Sequence, residues 1–342
     1  METNDPDDYL TLYTTLFVGL VRHTLRLLDL PHLKIGTSLL MMKREPGSKD
    51  PTHAKNAVSG FHNKALGMDV LPQDDPDGLG QDIIYETIQQ YPKCTIITGA
   101  PLTNVGNAIR KYPDLVIERW VAQGGFAGDN IVPPEYRLKK FEGKIYCPTF
   151  NFGGDSKAAT ELLTNPRVKQ RVLVSKNVCH GVLYNRHFHE RLAPYRRDTK
   201  GLAAIYDAMD KYLRGRGEKA LHDPLAACVA IDPSIGLFAQ VEMQLSRERG
   251  HSGWGAMPST TSTTFISVHV DRQRFEEVFR MSEKRSSSSA SADDEAPVAS
   301  ETGAGQAHDD NEEEGEAEAT PPRSAKRPRK DRNKRITPGG TE

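Results

Sequence analysis

The sequence predicts an α/β domain with a mostly parallel central sheet flanked by helices, followed by a low-complexity tail. Two observations carry this reading. Short apolar runs alternate with helical patterns in the order strand, helix, strand, which is how a parallel sheet is wound. The composition then breaks near Met281, where SSSSASADDEAPVAS, DDNEEEGEAEA and PPRSAKRPRKDRNKR replace the apolar pattern. That stretch holds too little apolar surface to offset the entropy of ordering it. The expected division is therefore a folded domain over 1–281 and a disordered acidic and basic tail over 282–342.

The elements follow in order. YLTLYTTLFVGLV opens the apolar pattern directly after Asn4-Asp5-Pro6-Asp7-Asp8. CTIITG (Cys94–Gly99) reads as a buried strand, and NVGNAIRKYP as the helix after it. LVIERWVAQGG is the next strand region, DSKAATELLTNP the next helix and RVLVSKN another strand. HDPL opens the apolar helix ACVAI, and GHSGWGAMPSTTSTTFISVHV reads as a flexible Gly/Ser turn leading into a strand, FISVHV. In such folds the working site lies beyond the carboxyl ends of the strands.

Composition narrows the function classes. The 342 residues carry 45 Lys and Arg against 46 Asp and Glu, a net charge of −1, so bulk charge does not mark a polyanion binder. No run of about eighteen apolar residues exists, so no membrane span is expected. METNDPDDYL lacks the basic-then-apolar pattern of a secretory signal. Cys94, Cys147, Cys179 and Cys228 form no CxxC pair, which argues against a disulfide framework or a structural zinc site and fits a reducing compartment.

Chemistry-bearing residues gather at the strand ends. Asp5, Asp7 and Asp8 are a dense array of hard oxygen ligands suited to calcium or magnesium, or simply helix-capping acids. Thr98-Gly99-Ala100-Pro101-Leu102-Thr103-Asn104 is a tight strand-to-helix turn. Gly124 through Asn130, and later Thr149-Phe150-Asn151-Phe152, combine glycines that admit a ligand with asparagines that suit sugar hydroxyls, or are turn chemistry. His222-Asp223 starts a helix, where a carboxylate also serves as a cap.

The order NDPDD, TGAPLTNVGNAI, AQGGFAGDN, FNFGGDSKAA and HDPLA resembles the inosine-uridine preferring nucleoside hydrolase family over roughly Met1 to Asp232. The resemblance implies a single Rossmann-like α/β domain and hydrolysis of the N-glycosidic bond of a ribonucleoside to ribose and free base. It implies a tightly held Ca2+ with Asp8, Asp223 and the backbone carbonyl of Thr98 as ligands. Asp7, Asn130 and Asn151 would bind the ribose, and His222 would protonate the leaving base.

The chain departs from the family pattern D-x-D-x-x-x-D-D. Its first two positions fall on Met1 and Thr3, where the second is normally a calcium ligand and the general base. Thr3 cannot serve as that base near neutrality, which leaves Asp5 or Glu2 to fill the role. A ribose-binding glutamate of the family is matched by Thr149. These departures suggest a shortened or degraded member, and they keep open a second reading, an inactive nucleoside-binding or interaction protein. In the tail, Lys326–Arg335 resembles a nuclear-import signal that an import receptor would read, placing the chain in cytoplasm or nucleus. Relatives in the resembled family are often dimers or tetramers, so a homo-oligomer is one expectation and the oligomeric state stays open. The base preference is not legible: His180, His187, His189, Tyr184, His251 and Trp254 are unranked candidates.

Overall fold

The computed structural model of the chain describes residues 18–38, 74–247 and 253–281, all within one compact unit, Met1–Asp293. Helix α1, described over 18–27, leads to strand β1 (Gly36–Thr37), which pairs in parallel with β2 (Gly78–Leu79). Helix α2 (Gly80–Gln90) follows directly. The alternation expected from the sequence then begins, with β3 (Thr95–Thr98), α3 (Thr103–Lys111) and β4 (Ile117–Gln123). Next come α4 (Phe150–Gly154), α5 (Ser156–Thr164), β5 (Val168–Val174) and the short α6 (Lys176–Cys179). A small antiparallel pair, β6 (Leu183–Asn185) and β7 (Glu218–Ala220), brackets α7 (Arg186–Leu192) and α8 (Lys200–Leu213). Helix α9 (His222–Ile231), strands β8 (Gly236–Ser246), β9 (Gly253–Pro258) and β10 (Thr264–Val270), and helix α10 (Arg272–Phe279) complete the described residues.

The main sheet has the order β3-β4-β5-β10-β8-β9. Strands β3, β4, β5 and β10 run parallel, with Thr95 opposite Arg119, Ile117 opposite Val168 and Thr264 opposite Arg171. Strand β8 is antiparallel to both β10 and β9, so the sheet is mixed at one side. The parallel strands are buried on both faces because side chains alternate across them. On β4, Trp120 and Ala122 enter one core with Leu162, Phe152 and Ile266. Val121, between them, enters the opposite core with Leu225, Tyr184 and Phe275. On β5, Leu173 likewise faces the first core, and Val172 and Val174 the second.

Strand β9 corrects the sequence reading. Its residues lie in the segment expected to be a flexible Gly/Ser turn, yet Gly253–Pro258 pairs with β8 over its whole length. The glycines there admit another backbone rather than a bend. A β-carbon on Gly255 would fall 2.7 Å from the Ile145 carbonyl oxygen and 2.6 Å from a Tyr146 ring carbon. The chain at 145–147 therefore crosses the strand closely, and Cys147 bridges to Trp254.

Three arginines organise the amino-terminal ends of the parallel strands. A helix ends with carbonyls that lack intrahelical partners and carry partial negative charge. Arg167, just before β5, donates to the carbonyls of Ile109 and Tyr112, which close α3, and to those of Pro113 and Leu115. Arg171 on β5 is buried and donates to Leu162 and Asn165 at the end of α5 and to the Thr263 hydroxyl. Arg119 on β4 reaches the Val229 and Ala230 carbonyls at the end of α9. The opposite ends of the same strands are thereby left for chemistry.

Candidate functional site

At the carboxyl end of β3 the chain turns through Thr98 and Gly99. The Thr98 hydroxyl accepts a hydrogen bond from the Trp120 indole at 2.9 Å, which fixes the last residue of the strand against β4. Helix α9 starts beside this turn. Its entry is pinned by the Leu221 N–H, which donates to the Val182 carbonyl at 2.8 Å. The consequence is a very close approach: a β-carbon on Gly99 would stand 2.8 Å from Asp223 Oδ1. Only glycine leaves space for the carboxylate there. Asp223 keeps part of its surface in solvent. Even so, the protein atoms crowded around it raise its pKa above the ordinary carboxylate value, an effect that Lys219 partly opposes. A carboxylate desolvated in this way gains most from a nearby cation.

A polar chain runs from Asp223's neighbour His222 into the sheet. His222 Nδ1 lies 3.0 Å from Cys179 Sγ. That sulfur accepts from the Gln123 side-chain amide at 3.3 Å. Gln123 in turn accepts twice from the Asn151 amide, at its backbone oxygen (2.8 Å) and at Oε1 (2.6 Å). The groups come from the end of β4, the end of α6 and the starts of α4 and α9, so regular elements set the geometry. Burial raises the Cys179 thiol to about 12, against the lowering effect of the Gln123 hydrogen bond, so it is a neutral thiol near pH 7. His180 joins the cluster from the other side: its ring centroid is 4.7 Å from that of His222, and its Nδ1 lies 2.6 Å from Lys140 Nζ.

The structure thus brings Thr98, Asp223, His222 and Asn151 to one end of the sheet. Asn130, by contrast, donates to the Ala256 carbonyl at 2.7 Å and is tied to β9 rather than to this chain of bonds. Thr149 is buried, and its hydroxyl has no hydrogen-bond partner. Asp5, Asp7 and Asp8 lie outside the described residues, as do His251 and the import-like run Lys326–Arg335. Tyr184 and His189 sit together in the second core, bonded to each other at 2.9 Å. Sequence reasoning missed Gln123 and Cys179. Gln123 lies within the quoted AQGGFAGDN run at the end of β4 but received no role, and Cys179 closes the short helix that follows β5, where no spacing signal marks it.

The family model of the inosine-uridine preferring nucleoside hydrolases matches residues 20–277. The chain belongs to this family. A comparison with curated proteins found no match. Among solved structures, this nucleoside hydrolase family member is similar to a plant nucleoside hydrolase, with 20% identity, a TM-score of 0.54, and coverage of 79% of this chain and 85% of that one. It is also similar to a purine-preferring ribonucleoside hydrolase from Gardnerella vaginalis (19% identity, TM-score 0.52, 78% and 84% covered). An inosine-uridine preferring nucleoside hydrolase from Bacillus anthracis gives 14% identity, a TM-score of 0.52, and 79% and 85% coverage. At these identities the likeness is one of fold.

The donors present fit a calcium ion in kind. Asp223 and the Thr98 carbonyl are hard oxygens, and the carboxylate, though exposed, stands hard against Gly99. They would make up part of a shell of six to eight oxygens. The remaining expected ligand, Asp8, lies outside the described residues.

Proposed function

We propose that the chain hydrolyses the N-glycosidic bond of ribonucleosides, releasing ribose and free base, with Ca2+ as its cofactor. The observation that carries this reading is the placement of His222, held by Cys179, beside Asp223 and Gly99 at the carboxyl end of the sheet, in a chain of this family. When bound, the ion supplies positive charge that grips the ribose hydroxyls; Thr98 and Asp223 would hold it, with Asp8.

The residues of the chain divide the remaining work. Bond cleavage sends the electron pair of the glycosidic bond to the base nitrogen and leaves an oxocarbenium-like sugar, which water then captures. Protonating the base as it leaves is the role assigned to His222. Its hydrogen-bond partner suits that role. Gln123 Oε1 is occupied by Asn151, so its amide nitrogen faces Cys179. Acting as the acid, His222 would carry protons on both ring nitrogens, with Nδ1–H donating to the Cys179 sulfur and Nε2–H passing to the base, which leaves a neutral imidazole. Asp223 would place negative charge near the developing cation, and Asp7 is the proposed partner of a ribose hydroxyl. Asp5 is the proposed base for the attacking water in the absence of a carboxylate at Thr3.

Thr149, with its unpartnered buried hydroxyl where the family carries a ribose-binding glutamate, supports a second reading: a protein that binds nucleosides without turnover. A reducing-sugar assay on the full chain, with inosine and uridine and with or without a calcium chelator, separates the two. Hydrolysis predicts sugar release that the chelator stops, and a loss of at least about 100-fold in kcat for His222→Asn, the size of a general-acid contribution. Thermal stabilisation by nucleoside without sugar release would leave only the binding reading.

A further inference from the structure

Beside the oxygen donors lies a set of different chemistry. Cys179, His180 and His222 present one sulfur and two imidazoles whose ligating atoms all lie within 4.8 Å of one another. We propose that these three residues form a second metal site, for a borderline or soft divalent ion of the zinc and cobalt class, distinct from the oxygen-lined calcium position.

The geometry is near to what such an ion needs. Zinc binds thiolate at about 2.3 Å and imidazole at about 2.0 Å, so neighbouring ligand atoms in a tetrahedron stand roughly 3.5 Å apart. Cys179 Sγ and His222 Nδ1 are at 3.0 Å, and the rings of His180 and His222 have centroids 4.7 Å apart, inclined at 58°. To close a three-ligand shell, Cys179 and His222 need to part by about half an ångström and His180 to approach by up to about an ångström. The ligands are also well supported. Cys179 and His180 are consecutive at the end of α6, directly after β5, and the Leu221–Val182 hydrogen bond anchors His222 at the start of α9. Gln123 donates to the sulfur at 3.3 Å, the kind of outer hydrogen bond that orients a metal ligand.

Donor chemistry separates this site from the calcium position. A thiolate and two imidazoles suit zinc, cobalt or copper, whereas calcium takes oxygens. As the sulfur–metal bond forms, the thiol proton passes to solvent and the ion keeps its oxidation state. Three protein ligands leave a fourth position for water, the arrangement of open rather than closed zinc sites. If His222 also serves the hydrolysis proposed above, an ion here withdraws it from proton transfer. The two ideas nevertheless fail separately, because the test below reads the metal and not turnover.

The test is a cobalt(II) titration of the purified full chain, followed by absorption. The expected result is a near-ultraviolet thiolate-to-cobalt band with tetrahedral visible bands, saturating at one ion per chain. One equivalent of zinc should bleach them, and a large excess of calcium should not. Cys179→Ser should remove the thiolate band. Cys147→Ser, at another buried cysteine, should retain it. His180→Gln and His222→Gln should each weaken cobalt binding by at least roughly 10–100-fold, the loss seen even for outer-shell partners. Should Cys179→Ser fail to fold by circular dichroism, the two histidine variants decide the matter. Absence of the bands, their persistence in Cys179→Ser, or unchanged affinity in both histidine variants overturns the proposal.

Discussion

Gly99 has no side chain because Asp223 occupies the space a β-carbon would take, with Oδ1 at 2.8 Å and Cγ at 2.9 Å. The atom in the way is the end of a short side chain, so Gly99→Ala should fold but swing the carboxylate aside. A positioning change of this kind typically weakens metal affinity by about 10–100-fold. Calcium titrated against the thermal unfolding of wild type and Gly99→Ala checks this: the calcium-induced rise in Tm should shrink in the variant. Equal rises in both proteins would separate Asp223 from the ion. At this scale the sequence was partly legible. Thr98, His222 and Asp223 stand in motifs whose order carries information. Gln123 and Cys179 are common residue types whose roles appear only when β4, β5 and α9 are side by side. The absence of CxxC spacing pointed away from zinc, because a Cys-His pair completed by a histidine more than forty positions later has no short-range spacing to detect.

Among elements, the arginines at strand starts do the work that glycine caps do elsewhere. Arg167 alone satisfies carbonyls of four residues between Ile109 and Leu115. Removing it strands several of them in a partly buried setting. Arg167→Ala should lower stability by about 1.5–3 kcal/mol, the size of a lost charged hydrogen bond. Arg167→Lys should recover little of it, because an ammonium lacks the planar fork that spreads donors over several acceptors. Urea unfolding of the three proteins measures both effects, and a lysine variant equal to wild type would show that charge alone suffices. The elements predicted from apolar runs appear in the structure, with β3, β4, β5, β10 and the helices after them in the expected order. Strand β9 was illegible for a physical reason. Gly253 and Gly255 are read locally as turn residues, but they serve a backbone crossing that only tertiary structure reveals.

For the molecule as a whole, stability should depend on pH through two histidines, His189 buried and His269 half-buried. His189 is 3% exposed, stacks on Tyr206 with centroids 3.9 Å apart, and faces Asp210 at 3.6 Å. Burial lowers its pKa, with help from Arg186 and against Asp210 and Glu190. Burial lowers that of His269 as well, helped by Arg272 and opposed by Asp271, where the ring stacks on Tyr136 at 4.0 Å. Each folded pKa therefore lies below the unfolded value of about 6.5, so the unfolded chain binds the extra proton. The stabilisation is complete above about pH 6.5 and is lost as the pH falls toward the folded values. Each group contributes a slope of up to about 1.4 kcal/mol per pH unit. Denaturation at a series of pH values from about 7 to 5 should show this slope reduced in His189→Gln, and an unchanged slope would reassign the loss to other groups.

The arginine brackets at one end of the sheet and the Cys-His and carboxylate groups at the other give the parallel strands two unlike termini. One end is mechanical and tolerates little tampering with its guanidinium groups. The other carries the reactive side chains, and there the packed positions differ from the free ones: Gly124 lies against the Phe152 ring and buried Ser175 bonds Ser267, whereas Asp223 is exposed. A mutational survey would accordingly split in two: folding defects would cluster where helices finish, and changes in selectivity where they begin.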